Sequence, residues 1–203
     1  PNRAQADRLP VYRLREAVNS LSRAFDCYSE TGDVELASTV AGHPFPTTAG
    51  NATGRPQLIA RALEIVPPDS LQAGRLLSIY GQVLGQEMGD TAGSQDASDR
   101  ALALAEREGD GALEIRTLVA AADVDLYMAR WENCLARGER AVELISRVDD
   151  PRAETLAYFH VALSHLFLGN PDLAEGPAMA SVSAAERLRH HFYQARALFI
   201  PAM

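Results

Sequence analysis

Apolar residues along this chain return every three or four positions. Ile115, Leu118, Ala122, Leu126 and Ala129 share one face of such a stretch, and Ala141, Val142, Leu144, Ile145 and Val148 share another. That spacing predicts amphipathic helix and not strand, whose period is two. Long helices are expected over residues 70–88, 112–130 and 152–168, stopping at Gly89-Asp90, Arg130-Trp131 and Gly169-Asn170. Glycine just past a helix end tolerates the left-handed conformation, and aspartate can cap the next helix. Pro67-Pro68-Asp69 separates two helices, with Ser70 as the N-cap of the second, and Pro151 and Pro171 suit first helical turns. Residues 42–55 hold His43, Pro44, Phe45, Pro46 and three glycines with no period. They read as a loop from a short helix, Val34–Ala41, to one starting near Pro56, the product of a degenerate second repeat. A loop of that length is uncommon inside a compact domain and is sometimes functional.

A ladder runs through the second helix of each pair. Arg-Ala followed by an apolar residue occurs at Arg23-Ala24-Phe25, Arg61-Ala62-Leu63, Arg100-Ala101-Leu102 and Arg140-Ala141-Val142, in steps of 38, 39 and 40 residues. A further step of 40 lands on Ser181-Val182. Small residues also recur 40 apart, as Gly81, Ala121 and Val161 and as Gly89, Ala129 and Gly169. Both sets are expected where helices approach most closely, and Ala24, Ala62, Ala101 and Ala141 are expected to be buried at crossings. Self-similarity at such a period is the mark of a repeat architecture.

Composition narrows the function classes. The net charge is −8, so the chain lacks the basic face that displaces counterions from nucleic acid or holds an anionic membrane surface. No apolar run approaches the length of a membrane span. Lysine is absent, and all 19 basic residues are arginine. A Walker A loop, a Schiff-base amine and a Ser-Lys base are thereby excluded. Cys27 and Cys134 sit in no metal-spaced cluster and are expected to be buried reduced thiols, which makes the sequon at Asn51 irrelevant in a cytoplasmic protein. The chain opens on Pro1 and ends on Met203 inside a helical pattern, as expected of a segment of a longer multidomain protein forming a single repeat domain over residues 1–203.

Candidate chemistry is sparse. There is no HExxH, GxSxG or GxGxxG motif, and no catalytic, metal or cofactor site is expected. His160 and His165 lie five apart on one helix and face different ways, and His190-His191 reads as a solvated turn between helices. Asp123 and Asp125 point about 200° apart on a helix and cannot work as an acid–base pair. Asp125 reads as a solvated charge.

Ala162, Gly169, Asn170 and Ala174, with the helix-pair ladder, resemble the tetratricopeptide repeat superfamily. The period near 40 departs from that family's usual ~34 residues, and its Trp and Pro markers are mostly missing. Longer repeats of this kind look like the helical arrays of large LuxR-type, ATP-binding bacterial regulators similar to the maltose-regulon activator. The phrase from Ala62 through Pro67-Pro68-Asp69-Ser70, ahead of a leucine-rich helix, is part of that likeness. The resemblance implies an all-α, α-α superhelix of antiparallel helix pairs that binds a protein, a peptide or a small effector in a concave groove. It also implies a role in bacterial signal transduction and transcription regulation, with neighbouring domains of a parent chain as partners. In such arrays the first helix of each pair lines the groove. With Ala122 as the crossing residue, the implied binding stripe is Arg116, Ala120, Asp123 and Tyr127. Steps of 40 extend it to Leu76, Tyr80, Val83 and Glu87, and to Leu156, His160, Leu163 and Phe167. Tyr80, Glu87, Arg116, Asp123, Tyr127, His160 and Phe167 are its aromatic, charged and histidine members. A spacer or self-association module, dimerising through residues 191–203, is the alternative.

Overall fold

The computed structural model describes residues 9–44, 50–188 and 191–200. Among these there are ten α-helices and no strand: α1 Leu9–Glu30, α2 Val34–Ala41, α3 Arg55–Ile65, α4 Leu71–Val83, α5 Thr91–Glu108, α6 Gly111–Tyr127, α7 Trp131–Leu144, α8 Pro151–Phe167, α9 Pro171–Leu188 and α10 His191–Leu198. A π-helical turn, Leu84–Met88, extends α4. The chain divides into two compact units, residues 1–104 and 105–203, with the division inside α5.

The helix boundaries follow from two-residue connectors. Gly32, Gly89, Gly109 and Gly169 have φ of 76°, 68°, 65° and 81°. After Gly32, Gly109 and Gly169 the next residue's N–H reaches back five positions, as in Asp110 N to Ala105 O at 2.9 Å and Asn170 N to His165 O at 2.9 Å. This is the Schellman closure of a helix end. After the π turn the reach is one residue longer, from Asp90 N to Leu84 O at 3.1 Å. In three of these connectors the following aspartate caps the next helix. Asp33, Asp90 and Asp110 accept from the N–H of Leu36, Gly93 and Leu113 at 2.9–3.0 Å. Gly-Asp therefore ends one helix and starts another with no spare residue. Ala129 occupies the same conformation at φ 54°, the one non-glycine residue among those described with positive φ. Gly89, Ala129 and Gly169 are thus helix stops and not the crossing points expected of them.

In the first unit, α1 packs on α2, α2 on α3 and α4, and α3 on α4. Phe25, Ile59, Ala62, Leu77 and Ala101 are in its core. Ala62 and Ala101 are fully buried, as the ladder required, but Ala24 is only half-buried. The turn of α1 instead sends the neighbouring Phe25 inward. Cys27 lies on the exposed side of the same helix, contrary to the expectation of a buried thiol. Gly81 sits at a true close approach, where an added Cβ would lie 2.8 Å from Ser98 Oγ and 2.9 Å from Ser94 O. The loop between α2 and α3 begins and ends as expected, and residues 45–49 lie outside the described residues.

In the second unit, α6 packs on α7, α7 on α8, α8 on α9 and α9 on α10; α8 also touches α6 and α10. Cys134, Ala141, Ala162 and Ala184 are fully buried. Gly138 marks a close approach of α7 to α8, since a Cβ there would meet Val161 Cγ2 at 2.9 Å. Every residue from Thr117 to Asp125 is buried, so the middle of α6 has no face open to water. The middle of α8 is similarly enclosed. The two buried threonine hydroxyls are accommodated locally: Thr117 Oγ1 donates to Leu113 O at 2.8 Å and Thr155 Oγ1 to Pro151 O at 2.7 Å. No described helix is long and apolar enough to cross a membrane.

Candidate functional site

In the first unit, the expected stripe on α4 does not face solvent. Leu76, Val83 and Glu87 are buried, and Tyr80 is half-buried against the core. Glu87 has a structural task. Its Oε2 accepts from Thr53 N at 3.0 Å and Thr53 Oγ1 at 2.8 Å, while Gly50 N donates to the Gln86 carbonyl at 2.9 Å. The wide π turn carrying Gln86 and Glu87 therefore pins the end of the α2–α3 loop. Arg55 Nη2 closes the other side on the His43 carbonyl at 3.1 Å.

The second unit encloses two members of the stripe, Asp123 and His160, in its interior. His160 Nε2, on α8, lies 2.8 Å from Asp123 Oδ1 on α6. Arg196, on α10, donates to the same Asp123 oxygen and has its guanidinium 4.5 Å from the Phe159 ring centre. Asp123 and His160 were expected on an open groove; the structure encloses both. The reason is packing on several sides at once, because α8 contacts α6, α7, α9 and α10.

Burial raises the Asp123 carboxyl, but Arg196 and then His160 outweigh it and hold the group well below the usual carboxylate range. Burial lowers the His160 imidazole below the ordinary histidine value, against the opposing pull of Asp123. A neutral His160 that donates from Nε2 to Asp123 fits both. Its Nδ1 has no hydrogen-bond partner among the described residues.

A second buried carboxylate lies two residues on. Asp125 is 0% exposed and not the solvated charge the sequence suggested. It accepts from Arg130 Nε at 2.7 Å and from Arg137 Nη1. Arg137 also reaches the Ala121 carbonyl at 3.3 Å. Burial pushes the Asp125 carboxyl up, while Arg137 and Arg130 oppose it. Asp125 thus ties the end of α6 to the connector and to α7. Nearby, burial raises the Cys134 thiol to about 11, which keeps it protonated near neutral pH and unlike an activated nucleophile.

Three members of the stripe do reach solvent. The Arg116 side chain is 62% exposed and pairs with Asp150 at 2.8 Å. Tyr127 and Phe167 are 55% and 52% exposed, at the ends of α6 and α8. Phe167 stacks face to face on Trp131, with centroids 4.2 Å apart and planes 7° from parallel. Trp131 was not among the expected binding residues; its place directly after the α6 stop was the available signal. Two shallow grooves also open on this unit. One, of about 410 Å³, is lined by Glu139, Val142, Glu143, Tyr158, Val161 and Pro177. The other, of about 280 Å³, runs from Ala105 and Glu106 to Arg147 and Val148. Asp123 and His160 line neither, so the buried acid–histidine pair has no substrate space beside it in these grooves. Among the described residues no group of three or more His, Cys, Asp or Glu side chains could hold a metal ion.

Neither a family model nor a curated protein matches this chain.

Proposed function

We propose that the chain is a binding scaffold whose helix pairs form turns of an α-α superhelix, and that it recognises a protein, a peptide or a small effector. The observation that carries this reading is where the chemistry-bearing residues lie. The ionisable pairs with shifted protonation, Asp123–His160 and Asp125 with its arginines, are enclosed and locked to neighbouring helices. The groups offered to solvent are aromatic and arginine side chains, Tyr127, the Phe167–Trp131 stack and Arg116. Those residue types dominate protein recognition surfaces. An enzyme needs convergent titratable groups opening into a pocket, and the buried pairs do not offer that arrangement. A place within a larger bacterial signalling or transcription regulator accords with the helix-pair pattern and belongs to the same proposal.

The test is selection from a displayed peptide library, followed by calorimetric titration of enriched sequences. Saturable binding that weakens when Tyr127 is replaced by alanine supports the reading. A library that yields no ligand counts against it, and ligands indifferent to Tyr127, Arg116 and Phe167 would overturn recognition through those side chains. Exposed Leu198 and Phe199 on and just after α10 favour self-association as the second reading, and sedimentation equilibrium separates the two.

A further inference from the structure

The larger groove of the second unit combines three chemical features. Its floor is apolar: Val161 from α8 is buried, Val142 from α7 is half-buried, and Pro177 from α9 closes one side. Its rim carries two carboxylates, Glu139 and Glu143, one helical turn apart on the same face of α7. Its third feature is the Tyr158 hydroxyl. Glu143 already holds Arg140 at 2.9 Å. Glu139 and the Tyr158 hydroxyl have no hydrogen-bond or ion-pair partner among the described residues. The groove lies beside a close α7–α8 contact, where Gly138 meets Val161, so its floor is packed against α7. Pro177 lacks an N–H, which leaves the Leu173 carbonyl without its helical donor.

The geometry points to a docking site for an arginine side chain of a partner peptide, its stem on Val142 and Val161 and its guanidinium at Glu139. The choice of occupant rests on complementarity. An arginine has an apolar stem of three methylenes and a flat head with five donors and no acceptor. The groove supplies apolar floor, an unpaired carboxylate and a hydroxyl that can accept. The chain's net charge of −8 also draws basic segments toward it. This inference rests on the scaffold reading and names the partner chemistry for one of its surfaces.

The probes are acetyl-Leu-Arg-Leu-amide and its neutral counterpart acetyl-Leu-Gln-Leu-amide, titrated into chain carrying labelled valine methyl groups and followed by NMR. The arginine peptide should give saturable shifts concentrated at Val142 and Val161. The glutamine peptide should bind about threefold more weakly, as loss of one exposed ion pair implies. Glu139→Gln should weaken the arginine peptide by a similar factor, and because Glu139 is exposed its thermal midpoint should stay at the parent value. Shifts spread evenly over the methyl groups, equal binding of both peptides, or an unaffected Glu139→Gln variant would each overturn the site. A library-selected ligand that seats on Tyr127 and Arg116 while these peptides leave Val142 and Val161 unmoved overturns this groove alone and keeps the scaffold reading.

Discussion

His160 Nε2 and Asp123 Oδ1 stand 2.8 Å apart although 37 positions separate them in sequence, and Arg196 joins the same oxygen from 73 positions away. Three helices, α6, α8 and α10, are thereby tied through one carboxylate. Removing one partner of a buried charged pair leaves the other uncompensated, which is costlier than the pair is worth when intact.

Asp123→Asn should therefore destabilise the second unit by about 3 kcal/mol, toward the low end for a broken buried pair because Arg196 is 21% exposed and can regain some water. The midpoint of urea unfolding checks this. A midpoint equal to the parent's would mean that the cluster contributes nothing.

The pH dependence has a definite sign. The folded state holds His160 neutral, with its pKa below the ordinary value because of burial. The unfolded chain binds a proton there below about pH 6.5. The unfolded state then carries more protons, so stability falls as pH drops below that value and is flat above it. The His160 contribution should approach a slope of about 1.4 kcal/mol per pH unit below pH 6. Denaturant midpoints at pH 7.5, 6 and 5 should show a steeper loss for the parent than for His160→Gln. Parallel curves would contradict the buried neutral imidazole.

Much of the backbone plan was legible. Gly89-Asp90 announced both the end of one helix and the cap of the next, because each residue has one local task, and Gly32-Asp33 and Gly109-Asp110 do the same in the structure. The interior polar residues were not legible from period alone. Polar positions in a helical pattern read as outward-facing, which holds only while one face stays free. In α6 no middle face is free, so Asp123 and Asp125 turned inward with their partners. Two aspartates inside the apolar run Leu118–Val119–Ala120–Ala121–Ala122 and onward were themselves the missed sign. Carboxylates in such a setting need buried cations, and Arg130 and Arg137 lay within reach in sequence. Arg196 did not. Glu87 was missed with the rest of its stripe: Leu76 and Val83 on the same face of α4 are buried too, so the face assigned to solvent is the packed one.

Ala129 carries the strain that glycine avoids at Gly89 and Gly169. Left-handed backbone costs an L-residue roughly 1 kcal/mol relative to glycine. Ala129→Gly should raise stability by about 0.5–1 kcal/mol, the gain being trimmed by glycine's freedom in the unfolded chain. Calorimetric melting decides it, and a lower midpoint would mean that the Ala129 methyl makes contacts worth more than the strain.

Ala101 and Ala141 are fully buried, one in each unit. Enlarging either to leucine forces its neighbours apart and should cost about 1–3 kcal/mol. Thermal melts of Ala101→Leu and Ala141→Leu measure the cost. Two variants that melt like the parent would show that these positions are not close-packed.

The binding role is tested most directly by the affinity of a library-selected ligand for the parent chain and for the Arg116→Ala, Tyr127→Ala double variant. Both side chains are more than half exposed, so the variant should retain its fold by circular dichroism. The scaffold account predicts an affinity loss of at least about tenfold, equivalent to ~1.4 kcal/mol, with the fold unchanged. An unchanged affinity in a folded double variant would contradict recognition through the Arg116 and Tyr127 stripe.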